Sequence, residues 1–372
     1  MILKAVISGD HEYMKILLLS AYHAHSHRYW CESLQVMFPE HDWTVLSLPG
    51  RYFNWRIRSN ALSWCLTNAD ILNKAYELVV ATSMVDCATL RGLVPNLATL
   101  SWRVYFHENQ FAYPLSGRDE RTEPKMVSLY NALCADELVF NSQYNYQTFL
   151  LGLERFLNKM PDHVPANTLE VIKLKSNILE VPIRLPGCKV QMSTVEPVLV
   201  WNHRWEYDKG PTQLLYVLLE LKKRGFAFKL NLIGQQFRSW PGEFDQIKNI
   251  FSKELNHYGF IEEADQYYEI ISSSSMILST AIHEFQGVAV LEAVARGCIP
   301  VVPDRLVYKE IFPEVFRYKS DTNNIRQESV YMADKIIELW MTRLNNKLED
   351  FKVVSLGFDA MKARYTKLLL SV

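Results

Sequence analysis

Two carboxylates, an arginine and a lysine carry the sharpest chemical signal in this chain. Glu284 opens the stretch Glu284-Phe285-Gln286-Gly287-Val288-Ala289-Val290-Leu291-Glu292, and Glu292 closes it eight residues later. An apolar strand pattern at Met276–Ser279 precedes the stretch. A helical run, VAVLEAVARG, carries it on to Gly297. This order sets Gly287 near a helix N-terminus, where free N–H groups favour an anion. Carboxylates two turns apart can face one ligand and accept hydrogen bonds from vicinal hydroxyls, as on a hexose and a ribose. An ordinary amphipathic helix accounts for the bare pair equally well. A second loop, Trp201-Asn202-His203-Arg204-Trp205-Glu206-Tyr207-Asp208-Lys209-Gly210-Pro211, joins a strand to the helix Thr212–Arg224. Its Arg204 and Lys209 stand at the carboxyl end of a parallel sheet, where ligands bind in such folds. They suit a leaving diphosphate, or they are two solvated loop charges. The two loops together, in this order, favour a nucleotide-sugar site.

Elements that position these loops are visible as short apolar runs alternating with helical stretches, the pattern of parallel sheets with helices on both faces. Strands are expected at Lys15–Ser20, Asp42–Leu48, Leu78–Thr82, Arg103–Phe106, Glu137–Asn141 and Ile178–Val181. A second set is expected at Pro197–Asn202, Phe228–Ile233, Tyr258–Phe260, Met276–Ser279, Ile299–Val302 and Phe316–Tyr318. Two such sets predict two doubly wound domains. A single barrel fits less well, because VPIRLPGCKVQMSTVEP breaks the pattern at mid-chain with three prolines and a glycine. The expected organisation is a first domain over residues 14–182, a linker over 183–196 and a second domain over 197–349. A final helix within 350–372 packs back on the first domain, and residues 1–13 read as an extension before a natural start at Met14.

The 372 residues suffice for two domains, and a formal net charge of −1 offers no global basic field for nucleic acid. Six cysteines are scattered, with no CxxC pair and no zinc-finger spacing, which points to a reducing compartment. Neither a membrane-spanning apolar run nor a signal-peptide pattern stands out, so the expectation is a cytoplasmic protein without a membrane partner.

The first half carries its own candidates. His107 follows a strand in Tyr105-Phe106-His107-Glu108-Asn109-Gln110-Phe111-Ala112-Tyr113-Pro114. A positioned imidazole there suits a hydroxyl hydrogen bond or proton transfer; taken alone, a loop histidine satisfied by backbone is the commoner case. Glu108 and Asn109 rank below it, since alternate residues point differently. The segment Leu48–Arg58 interleaves Arg51, Arg56 and Arg58 with Tyr52, Phe53 and Trp55. Cations plus aromatic faces suit an unstacked RNA loop, and equally a half-buried segment packing its rings. His23, His25 and His27 alternate, but no carboxylate accompanies them, so no metal is expected.

The EFQGVAVLE stretch and the NHRWEYDKGP loop resemble the donor domain of retaining glycosyltransferases of the GT-B fold, the large family 4. The resemblance implies that Arg204 and Lys209 hold the nucleotide diphosphate, that Glu284 contacts the transferred sugar and that Glu292 binds the ribose. It also implies that the backbone of Phe285, Gln286 and Gly287 lines sugar and phosphate, and that Gly234 and Gln235 after the LNLI strand lie near base and ribose. The first-half segments, with Val139–Asn145, Met160–His163 and Pro182–Arg184, look like the queuosine-tRNA mannosyltransferase family. YFHENQ and the PDH segment are the specific parts, and the resemblance runs from Met14 into the second domain.

The family resemblance implies an α/β GT-B fold, two doubly wound Rossmann-like domains facing a cleft. It implies transfer of mannose from GDP-mannose to the cyclopentenediol of queuosine in a tRNA-Asp anticodon, with retained configuration. No metal or other cofactor is implied. His107 then contacts the donor sugar, with Arg51, Trp55, Arg56, Arg58, Glu108 and Asn109 on the acceptor side. Ser26 and His27 match the family's first loop, where Ala24 and His25 replace two glycines and so narrow the phosphate approach or change its dihedrals. Two rivals stay open: an enzyme of the same fold with another sugar or acceptor, and a catalytically silent RNA- or nucleotide-binding protein. Intact Glu284, Glu292, Arg204 and Lys209 argue against the second.

Overall fold

The computed structural model describes residues 13–113, 122–186, 196–349 and 351–370. Pro114, most of the expected linker (187–195), all but the last residue of the expected extension (1–12), and residues 350, 371 and 372 of the expected final-helix segment lie outside the described residues. The chain divides into two compact units, Met1–Glu180 with Met361–Val372, and Val181–Ala360.

The first unit holds a six-stranded sheet of β1 (Lys15–His23), β2 (Asp42–Pro49), β3 (Leu78–Thr82), β4 (Ser101–Phe106), β5 (Glu137–Phe140) and β6 (Ser176–Ile178). Strand order is β2-β1-β3-β4-β5-β6, and every pairing is parallel. Parallel strands covered on both faces read as unbroken apolar runs, and β3, LVVAT, is buried at all five positions. Trp64, Trp102, Phe106 and Phe140 fill this core; a fully buried phenylalanine such as Phe140 contributes about 1.5–3 kcal/mol. The last helix, Phe358–Leu370, buries Met361, Tyr365, Leu368 and Leu369. Trp30 Nε1 donates to Tyr365 Oη at 3.0 Å, and Tyr365 donates to Glu180 O at 2.9 Å.

The second unit repeats the plan with β7 (Val198–Trp201), β8 (Lys229–Ile233), β9 (Leu255–Gly259), β10 (Met276–Leu278), β11 (Ile299–Pro303) and β12 (Arg317–Tyr318). Its order is β12-β11-β10-β7-β8-β9, again parallel. Trp201, Trp205 and Phe244 lie in its core, Trp205 stacked on Phe244 at 4.3 Å. In this order the winding reverses between β7 and β10. That reversal is the topological switch point at which doubly wound sheets bind ligands.

Most strand ends differ from expectation by one to three residues, and two strands shift toward the N-terminus at both ends. The sixth strand is Ser176–Ile178, paired from Leu138↔Ser176, and not Ile178–Val181. The Val181 backbone is instead satisfied by the Gln286 amide, which accepts from Val181 N and donates to Val181 O. The strand expected at Tyr258–Phe260 begins earlier, at Leu255. It lies at the sheet edge, where exposed Asn256 and half-exposed His257 hide the apolar signal.

Candidate functional site

In the second unit the two loops flanking the switch point are bound to each other. The loop after β7 ends in a short turn, Tyr207–Lys209, and then Gly210 opens the helix Pro211–Lys223. Gly210 has φ +70, and a Cβ there would lie 2.1 Å from Thr280 O, so only glycine lets the loops meet. Ile282 N and His283 N both donate to Asp208 O, at 2.8 and 3.1 Å, and Thr280 Oγ1 donates to Lys209 O at 2.8 Å. This lacing brings Lys209 to Glu284. Lys209 Nζ lies 2.8 Å from His283 O, 3.2 Å from Glu284 Oε2 and 3.3 Å from Asp208 Oδ2. Lys209 is buried, and a buried charge persists only when paired.

Electrostatics at this pair are one-sided. Burial pushes the Glu284 carboxyl up, but the Lys209 ammonium and the Phe285 N–H outweigh it and hold the pKa at about 2. Burial likewise opposes the Lys209 charge, and Glu284 with Asp208 overrides it, raising that pKa. Arg204 lies outside this knot, a third exposed and 3.0 Å from Glu206.

Glu292 has a different setting. It sits on the helix Val288–Ala295, buried, and accepts from Tyr267 Oη at 3.3 Å and Tyr268 Oη at 3.4 Å. Burial raises its pKa to about 7, although Arg296 and the two tyrosines favour the ion. Asn202, at the end of β7, donates to Tyr267 Oη and to Ala289 O, which ties this cluster to the first loop. Arg296 covers the Tyr268 ring at 3.8 Å. Nothing in the sequence spacing marks Tyr267 and Tyr268, because the fold and not the chain brings their helix to Glu292.

The remaining donor-side residues make contacts within the second unit. Gly287, φ +75, is the residue from which the Glu292 helix starts. The side chain of Gln286 is spent on Val181, and the Phe285 N–H is already taken by Glu284 Oε1 at 3.1 Å. The expected backbone cradle is therefore corrected at Phe285, whose donor is used internally. A Cβ on Gly234 would lie 1.8 Å from His203 O, and Gln235 O accepts from Trp205 N. Gly234 and Gln235 thus weld the β8 loop to the β7 loop.

In the first unit, His107 is buried directly after β4. Its ring packs on His27 at 4.3 Å, Tyr105 at 4.6 Å and Trp30 at 5.0 Å. Burial, then His27, drives its pKa well below 6.5, so the ring is neutral. Among the described residues neither ring nitrogen has a hydrogen-bond partner. His107 and His27 are brought together, while Ser26 is exposed on the first turn of the helix His25–Met37. Ala24 caps that helix with φ −70 and ψ 171, ordinary extended backbone, so alanine brings no dihedral strain there. Among the described residues no group of three His, Cys, Asp or Glu side chains is placed to hold a metal ion.

The acceptor-side candidates separate. Arg51 lies over the Tyr52 ring at 5.6 Å, and Trp55 is well exposed beside them. Arg56 is half-buried. Arg58 pairs with Asp86 at 2.5 Å and Glu123 at 3.4 Å, which ties the helix Phe53–Thr67 to the β3 loop, while its side chain stays half exposed. Asn109 is corrected, being fully buried with both amide atoms bonded inside the protein. Glu108 is half-buried.

Residues 15–183 match the family model described as tRNA-queuosine alpha-mannosyltransferase N-terminal, and residues 189–343 match glycosyl transferases group 1. A Drosophila melanogaster protein named tRNA-queuosine alpha-mannosyltransferase is 32% identical over 363 residues, covering 94% of this chain and 93% of its own. The chain belongs to the tRNA-queuosine alpha-mannosyltransferase family. It is accordingly an enzyme, a hexosyltransferase. Solved structures agree on its fold. Sucrose-phosphate synthase from Thermosynechococcus elongatus superposes with TM-score 0.69 at 14% identity, covering 96% of this chain and 98% of that one. Anabaena HepE in complex with UDP-glucose gives 0.63 at 13% identity over 97% and 100%. These likenesses and the two parallel sheets bear out the expected GT-B architecture of two Rossmann-like domains.

Proposed function

We propose that this enzyme moves mannose from GDP-mannose to the cyclopentenediol of queuosine in a tRNA anticodon, that of tRNA-Asp, with retention of configuration. The observation that carries the donor half is the pairing of buried Lys209 with partly buried Glu284 at the β7/β10 switch point. A fixed carboxylate beside a fixed ammonium suits a hexose hydroxyl on one side and a phosphate on the other. Support for the acceptor half is membership of the family across residues 15–183.

In this reading Arg204 and Lys209 neutralise the diphosphate, Glu284 accepts from the mannose hydroxyls, and Glu292 accepts from the ribose diol. The bond from the anomeric carbon to phosphate breaks as the queuosine oxygen attacks from the same face. The acceptor proton passes to the departing diphosphate. The same-face route needs no carboxylate nucleophile and no covalent glycosyl-enzyme, and the two cations stabilise the charge on the departing diphosphate. His107, uncharged and with unspent ring nitrogens, is suited to a sugar hydroxyl. Arg51 and Trp55 suit the anticodon loop. A cytoplasmic setting goes with five described free cysteines.

Incubation of queuosine-containing tRNA with GDP-mannose, followed by nucleoside mass spectrometry, tests the reading. Gain of one hexose on queuosine is expected, with no gain from UDP-glucose. An unshifted queuosine nucleoside, from active and folded enzyme, sinks it.

A further inference from the structure

The ring of His107 makes no hydrogen bond among the described residues, yet its backbone is held on every side. Three buried asparagines account for this. Asn141, just after β5, donates through Nδ2 to His107 O at 2.8 Å. Asn145, in the first turn of the helix Gln143–Leu157, donates through Nδ2 to Phe106 O and to Asn141 Oδ1, both at 2.8 Å. Asn109 donates to Asn145 Oδ1 at 2.7 Å, while its own Oδ1 accepts from Phe111 N and Ala112 N at 3.1 and 3.0 Å. Ser142 caps the same helix by accepting from Asn145 N.

The amides thus form one directed chain, from the loop after His107, through the helix, to the two carbonyls flanking the His107 Cα. Buried amides left unpaired are costly, so the chain fixes one backbone position. A histidine whose ring must stay unbonded to meet a ligand cannot be aimed by ring hydrogen bonds. Its aim has to come from its backbone and from the packing of His27, Trp30 and Tyr105.

We propose that Asn141, Asn145 and Asn109 are positioning residues that set the His107 imidazole for the transfer step. The proposal rests on the role given to His107 above. It separates three buried, fully bonded amides from the acceptor-contacting group to which the sequence had assigned Asn109.

The test is a double-mutant cycle on the full chain, with queuosine-containing tRNA and GDP-mannose. Asn141→Ala should lower kcat roughly tenfold to hundredfold, the scale of a misplaced reacting group, with the KM for GDP-mannose within about twofold. In a His107→Ala background the same substitution should change kcat by less than about twofold, because the group it aims is gone. Fully additive losses, or an unchanged kcat in the single variant, would overturn the proposal. Asn141→Ser removes the same bond to His107 O and replaces the alanine variant should that one not fold. A second readout does not depend on the reaction. In NMR of ring-labelled histidine, the His107 signal should shift in Asn141→Ala while that of His283 does not. A shifted signal with a catalytically inert wild type would count against the mannosyl-transfer reading alone; an unmoved signal would count against the network.

Discussion

Glu284 and Glu292 share a residue type and lie eight positions apart, but their surroundings give them opposite habits. Glu284, held at about 2 against Lys209, stays ionised at any working pH. Glu292, at about 7 beneath Tyr267 and Tyr268, titrates at neutrality. From its ordinary value of 4.5 up to about 7, the folded protein keeps a proton that the unfolded chain has released. The stability from that proton is complete below 4.5 and is lost as pH rises through 7. Glu292→Gln should therefore gain on the wild type as pH rises from 5 to 8, by up to about 3 kcal/mol in denaturant unfolding. A constant difference would contradict the assigned environment. Binding of a ribose diol to the Glu292 carboxylate favours the ion, so GDP should bind more tightly at pH 8 than at pH 6. Calorimetry near pH 7 in buffers of differing ionisation enthalpy should register proton release. Residue types were readable in the sequence here; protonation was not, because it depends on burial, which only the folded packing decides.

At the scale of elements, loops make the site and glycines make the loops. Gly234→Ala would drive a Cβ against His203 O and part the β7 and β8 loops. The expected result is a loss of several kcal/mol together with lost GDP binding, measured by thermal unfolding with and without the nucleotide. Retained binding would show that this weld is dispensable. The strands were the most legible elements, since burial on both faces writes β1, β3 and β10 as plain apolar runs. Edge strands were less so: β6 is SNI and β9 contains Asn256 and His257, polar residues that no pattern of alternation marks. Asn109 shows the same limit from the other side. Its position beside His107 suggested ligand contact, while its partner Asn145 lies 36 residues on and makes it scaffold.

Across the whole molecule, two sheets of the same doubly wound kind recur, with the charged pair in one unit and, in the other, a histidine whose ring makes no hydrogen bond among the described residues. The chain returns from Met361 to complete the first unit, through Tyr365 against Trp30 and Glu180. Tyr365→Phe strands the Trp30 N–H and should cost about 1–3 kcal/mol in urea unfolding, while GDP affinity stays as in the wild type. The architecture was legible from the mid-chain proline break and the doubled strand pattern. The acceptor was not readable from charge, since the formal net charge is only −1; it came from particular first-half motifs such as YFHENQ.

The central claim is that Glu284, fixed by Lys209, holds the sugar while it is transferred. It is tested most directly by measuring hexose transfer to queuosine-containing tRNA and GDP affinity side by side for the wild type and Glu284→Gln. The account predicts a transfer rate lower by about 100-fold or more, with GDP affinity changed by less than about fivefold. Transfer at the wild-type rate in the folded variant would contradict it.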